Sequence, residues 1–144
     1  MAIFDSLHIN ASGLSLERLK LDTVSTNIAN INTTRTEEGG PYIKKEVLFE
    51  ESLKNVESSL TGRPEKKSFG VKATELAGNA EDIVREYNPG HPDADEAGYV
   101  QLSNVNMADE MIDMITAQRT YDANVTAMNA SKEMLKKALE IKIN

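Results

Sequence analysis

Apolar side chains recur every seven residues at both ends of this chain and lose that rhythm in between. Near the start, Leu7, Leu14, Leu21 and Ile28 form one ladder. Seven residues make two helical turns, so the four share a narrow stripe of a helix. The flanking rows are mixed. Phe4 and Ala11 begin one that Arg18 and Ser25 break; Ile3 and Val24 belong to another that Asn10 and Glu17 interrupt. Gly13, Asn10, Ser12 and Ser15 lower the helix propensity, so this helix needs a partner to bury its stripe. It should end near "NIANINTT", where Asn27, Asn30 and Asn32 favour caps and turns.

The far end repeats the pattern more strongly. Met107, Met114, Tyr121, Met128 and Leu135 are spaced by sevens, and Met111, Val125 and Leu139 fill an alternate row that Gln118 and Lys132 interrupt. Asn104 or Asn106 can cap the start. Acidic residues come early (Asp109, Glu110, Asp113) and lysines late (Lys132, Lys136, Lys137, Lys142), which suits the helix dipole. A helix from Met107 to Ile141 would be roughly 50 Å long, beyond the usual globular length and suggestive of a coiled coil or helical assembly.

The middle reads differently. "PYIKKEVLFEE" and "FGVKATELA" predict short strands with imperfect alternation. Ser52 to Ser68 is polar and aperiodic, and predicts a mobile loop. "DIVREY" is a third strand candidate, with "GYVQL" able to pair back against it across a long loop. The expected fold is therefore mainly α. The terminal helices pair as an antiparallel, coiled-coil-like inner domain, with a small extended or β middle. The divisions fall at 1–32, 33–103 and 104–144.

Composition narrows the function. The 144 residues suit one ordinary domain. Hydrophobic residues are 40% and aromatics 5%, which is thin for a compact core. A net charge of -7 gives no electrostatic footprint for nucleic acid or an anionic membrane, and no run is long enough to span a bilayer. There are no cysteines, which excludes thiolate chemistry and Cys-based zinc sites. Asp5 stands where a secretory signal would carry Lys or Arg, and no apolar segment of a signal follows. The expectation is a cytosolic chain, or one exported without a cleaved signal.

One stretch concentrates candidate chemistry. "HPDADEAGYV", residues 91–100, holds His91, Asp93, Asp95 and Glu96. Asp93, Asp95 and Gly98 match three positions of a calcium loop, but Ala97 and Asn104 stand where two further ligands belong. His91 with Asp93 or Asp95 could form a base and its orienter, yet no phosphate loop, nucleophile elbow or His-Glu-x-x-His pattern accompanies them. The favoured reading is a proline-set turn kept solvated by its carboxylates, with no catalytic residue, cofactor or metal. Lys44-Lys45 and Lys66-Lys67 read as solvated surface, and His8 needs no ligand role.

"STNIANINTTRT" following an N-terminal amphipathic helix resembles the N-terminal signature of the bacterial flagellar rod and hook family. "NVNMADEMIDMITAQRTYDANVTAMNASKEML" resembles that family's C-terminal helix. The middle segments "NTTRTEEGGPYIKKEVLFEE", "GVKATELA" and "YNPGHPDADEAGYVQLSNVNMADEMIDMI" look like the short proximal-rod branch. The resemblance implies a structural subunit of a hollow drive shaft that carries motor torque to the hook and lets export substrates pass. It implies as partners copies of the chain itself, other proximal and distal rod proteins, a basal-body adaptor and the flagellar type III export apparatus. Its place would be the rod, crossing the cell envelope after export without signal cleavage. Leu7, Leu14, Leu21, Ile28, Met107, Met114, Tyr121, Met128 and Leu135 would then bury the helix pair. Met111, Val125 and Leu139 would reach neighbouring subunits, and Asn27, Asn30, Asn32 and Asn124 would fix geometry at helix ends and subunit joints. The alternatives are a soluble coiled-coil adaptor or a weak metal-binding module on the HPDADE loop.

Overall fold

The structure is a computed structural model that describes residues 2–37, 39–57, 64–78 and 83–141. Two long helices bracket four strands: α1 (Ala2–Ala29), β1 (Lys45–Glu57), β2 (Pro64–Gly78), β3 (Val84–Tyr87), β4 (Tyr99–Leu102) and α2 (Met107–Ile141). The expected mainly α architecture with a small β middle is what forms. No helix is long and apolar enough to cross a membrane among the described residues.

The helix ends have local causes. α1 stops where the amide of Asn30 turns back to the carbonyls of Thr26 and Asn27, and Asn30 Nδ2 donates to Thr26 O at 2.9 Å. Thr33 N then donates to Asn30 O, so the chain leaves in tight turns. α2 starts at Asn106, whose Oδ1 accepts from Ala108 N at 3.0 Å while its carbonyl accepts the first helical bond from Glu110 N. Asp109 and Glu110 in the first turn complement the partial positive charge there.

β1 and β2 form one two-stranded sheet, and β3 and β4 another. Thr74 bonding to Leu48 O and Lys72 pairing with Glu50 show β1 and β2 to be antiparallel. β3 and β4 pair antiparallel, Val84 opposite Leu102 and Tyr87 opposite Tyr99, as the "DIVREY"–"GYVQL" hairpin predicts. One expectation needs correcting. Residues 52–57 continue β1, and 64–68 open β2, where an aperiodic loop was expected; residues 58–63 lie outside the described residues. Alternation marks a strand only when one face is buried.

The chain folds as two compact units. The first comprises Met1–Leu19, Leu48–Glu75 and Ala117–Asn144; the second, Lys20–Val47 and Leu76–Thr116. In the first unit Leu16, Ala117 and Ser131 are buried. In the second unit the core is Val24, Tyr42, Val100 and Val105, with Asn27 and Glu110 sealed among them.

Candidate functional site

The carboxamide of Asn27, in the last turns of α1, is buried in the second unit and only 1% exposed. Its Nδ2 donates to Lys45 O at 2.9 Å and to Glu110 Oε2 at 3.0 Å. Its Oδ1 accepts from Lys45 N at 3.0 Å and from Tyr42 Oη–H at 2.9 Å. All four of its bonding positions are filled, which is what burial of an amide requires. Two of the four go to the amide and carbonyl of one residue, Lys45. Asn27 thus acts on the start of β1 as a neighbouring strand would. Asp offers no donor and Gln is longer, so the geometry selects Asn.

Glu110, on the first turns of α2, has no solvent exposure. Its Oε2 takes the Asn27 bond; its Oε1 accepts no well-directed hydrogen bond but has the Lys44 ammonium 2.8 Å away, which balances its charge. Lys44 Nζ also lies 3.6 Å from Glu46, and Lys44 N donates to Asn104 Oδ1 at 2.7 Å. The close contact with the Glu110 carboxylate holds the Lys44 ammonium above its ordinary pKa, against the opposing effect of burial. Burial raises the Tyr42 phenol, with the Glu110 charge adding to it. α1, the start of β1 and the start of α2 are joined here by named bonds.

The first unit is built differently. A Cβ placed on Gly13 would lie 2.9 Å from Asn124 Nδ2, so α1 and α2 approach closely where a glycine leaves room. Ser12 Oγ donates to Ile9 O at 2.7 Å and accepts from Val71 N at 3.1 Å, binding α1 to β2. Gly70, at φ 102°, lets the strand come this near; a Cβ there would meet Ser12 Oγ. Lys67 pairs with Asp5 and, through that hydrogen bond, holds the Asp5 carboxyl below its ordinary pKa. α1 and α2 run antiparallel. Asn27, late in α1, meets Glu110, early in α2; Gly13, two heptads earlier, meets Asn124, two heptads later.

Leu7, Leu14, Leu21 and Ile28 are all half-buried, as are Met114, Tyr121, Asn124, Val125, Met128 and Leu135. Met107, Met111 and Leu139 are exposed. Asn30 is half-buried at the end of α1, and Asn32 is exposed. The most buried positions of α2 form a row that reasoning from apolar residues passes over: Glu110, Ala117 and Ser131 are buried, with Asn124 between them in the same count of sevens. Small and polar residues occupy it because close approach and hydrogen bonding decide it. The signal was there as a seven-residue repeat of non-apolar residues. Lys44 and Tyr42 had none, since only the fold brings them to Glu110 and Asn27.

The side chains of Asp93 and Asp95 in the 91–100 stretch bond within it and to residues 34 and 35. Asp95 Oδ1 accepts from Ala97 N at 2.9 Å and Tyr99 N at 2.8 Å, closing the turn that leads into β4. Asp93 Oδ2 accepts from Thr34 Oγ1 at 2.8 Å, and Arg35 lies 3.9 Å from its other oxygen. His91 Nδ1 accepts from Asp93 N at 3.1 Å. Gly98 sits at φ 81° against the Tyr87 ring, which packs edge-on to Tyr99.

Two family models match the chain. "Flagella basal body rod protein" covers residues 7–35, the span that ends in the asparagine-rich turn, and "Flagellar basal body rod FlgEFG protein C-terminal" covers residues 96–141, which includes α2. Curated relatives extend the likeness over almost all of both chains. The flagellar basal-body rod protein FlgC of Bacillus subtilis is 41% identical over 98% of this chain and 99% of its own. That of Borreliella burgdorferi is 38% identical over 98% of each, and that of Aquifex aeolicus 35% over 97% of each. With both helix signatures matched and likeness of this depth running end to end, the chain belongs to the FlgC family of flagellar basal-body rod proteins.

Proposed function

We propose that this chain is a non-enzymatic structural subunit of the flagellar rod, and that its open helix faces are closed by neighbouring subunits in the assembled shaft. The observation that carries the reading is the apolar surface left on the helices. Met107, Met111 and Ile115 recur every four residues on α2, with Ile112 beside them, and are between 39% and 62% exposed. Toward the end of α2, Met134 and Leu139 are both 63% exposed. Phe4 and Ile9 are open on α1. Large apolar side chains grouped on one exposed helix face mark an interaction surface. Methionine suits such a face, because its flexible side chain adapts to neighbours that meet in slightly different settings.

In this reading the half-buried ladders of Leu7, Leu14, Leu21, Ile28, Met114, Tyr121, Met128 and Leu135 hold the helix pair. Met107, Met111, Val125 and Leu139 reach adjacent subunits. Those neighbours are copies of the chain, other rod proteins and the basal-body adaptor. The chain reaches them through the flagellar export apparatus, without a cleaved signal, and comes to lie in the rod across the cell envelope. Basal bodies isolated from a deletion strain test the reading: the rod should be missing beyond the proximal stub, and an intact rod would overturn it. Ile112→Asp with Ile115→Asp should leave a folded chain that fails to assemble; normal swimming by this variant would remove the interface assignment.

A further inference from the structure

The two apolar ladders attract each other but do not say how the helices align. Leu7, Leu14, Leu21 and Ile28 on one side, and Met114, Tyr121, Met128 and Leu135 on the other, present apolar to apolar again after a slide of seven residues. Only residues that differ from one heptad to the next can choose among these registers. The structure shows such a choice by directed bonds where Asn27 meets Glu110.

We propose that the Asn27–Glu110–Lys44 cluster is the register lock of the α1–α2 pair. In the observed register Asn27 Nδ2 finds a carboxylate oxygen and Glu110 finds both an amide donor and the Lys44 ammonium. A seven-residue slide in one direction brings Ala117 to Asn27. The amide then loses one acceptor while remaining bonded to Lys45, and the Glu110 carboxylate loses its donor. A slide in the other direction brings residue 103, which precedes the start of α2, to Asn27 and moves Glu110 toward Lys20. The first slip leaves a buried polar group unpaired and the second separates Glu110 from Asn27, whereas the ladders are indifferent. A single buried polar position is a known way to fix the register of paired helices at some expense in stability. Here the lock has a second anchor. Asn27 is itself held by the amide and carbonyl of Lys45, and Glu110 by Lys44, so the register is referred to the start of β1 as well. The inference concerns one chain and stands apart from the assembly reading.

The chain has no cysteine, so introduced pairs report register cleanly. Gly13→Cys with Asn124→Cys reads the observed register. Lys20→Cys with Asn124→Cys, and Gly13→Cys with Ala117→Cys, read the two slips. The intramolecular disulfide yield of each full-length chain is measured by mass after mild oxidation at high dilution. The observed-register pair should dominate in the otherwise unchanged chain. With Asn27→Leu and Glu110→Leu added, its excess over the slipped pairs should fall by about ten-fold, equivalent to about 1.4 kcal/mol of register preference. An unchanged excess, or failure of the Gly13–Asn124 pair to form in the unchanged background, would overturn the lock. Should the double leucine variant lose its helical circular dichroism, Asn27→Ser decides. Serine is too short to reach Glu110 and Lys45 together, so the excess must fall; an unaltered ratio again overturns the proposal.

Discussion

The two units hold the same pair of helices by different physics. In the second unit, Asn27, Glu110, Lys44 and Tyr42 make bonds that each specify a partner, an atom and a direction. In the first, half-buried ladders and the close approach of Gly13 to Asn124 bring the helices together with little that is directional between them. Apolar burial supplies attraction in proportion to area and is tolerant of rearrangement. A buried hydrogen-bonded charge supplies little net attraction but penalises every arrangement that leaves it unpaired. The second unit thus sets its helix contact by directed bonds, and the first by packing.

The most damaging test of that contrast is Asn27→Asp. It removes both Nδ2 donors, and it places a second carboxylate against Glu110. Breaking a buried charged contact in this way should destabilise the chain by about 3–5 kcal/mol, read from denaturant unfolding. A loss no larger than that of a surface substitution would end the claim that bonds, rather than packing, hold the second unit.

Gly70→Ala probes the first unit. The new Cβ would meet Ser12 Oγ and must adopt a positive φ, so the strand must move away from α1. About 1–3 kcal/mol should be lost, with hydrogen exchange at Val71 N rising as its bond to Ser12 opens. Unchanged exchange there would show that close approach is not what joins β2 to α1.

The pH dependence should separate the units more gently. Lys44 and Tyr42 both have folded-state pKa values above their ordinary 10.5 and 10.0. A raised value contributes stability that is fully present below the unfolded pKa and is lost as pH rises through the folded one. Stability should therefore hold through neutral pH and decline above about pH 10. Asp5 in the first unit has the opposite sense: its lowered pKa contributes above 3.8 and is lost as pH falls through the folded value. Lys44→Met should flatten part of the alkaline decline, as followed by melts across pH. An alkaline limb identical to that of the unsubstituted chain would dissociate Lys44 from it.

The smallest effect is expected at Gly13. Alanine there gains roughly 0.5–1 kcal/mol of helix propensity but presses on the Asn124 side chain. Gly13→Ala alone should be near neutral. Combined with Asn124→Ala it should be more stable than Asn124→Ala alone, because the obstruction has gone. A double variant no more stable than the Asn124→Ala chain would mean that something other than Asn124 sets the helix separation at this point.

Much of the fold can be read along the chain because its causes are local. The seven-residue ladders, the asparagine-rich stop after Ala29, the Asn106 cap and the early acidic residues of α2 each act within a turn or two of where they stand. They determine two long helices that need partners. The β3–β4 hairpin follows for the same reason, with Pro89, Pro92 and the Asp95 turn between its strands. The flanks of the 58–63 segment escaped this kind of reading, since their sequence carries no alternation. So did the site's deciding residues. Nothing in the spacing of Tyr42, Lys44 and Glu110 announces that they converge on Asn27, because the contacts join positions far apart in sequence. Sequence alone set which segments are helical and which faces are apolar. Only the tertiary structure decided which register the helices take and that Glu110, Ala117 and Ser131, rather than the apolar ladder, are the buried positions of α2. Helix formation and apolar burial depend on neighbours a few residues away, whereas pairing a buried amide and a buried carboxylate depends on which distant segments meet.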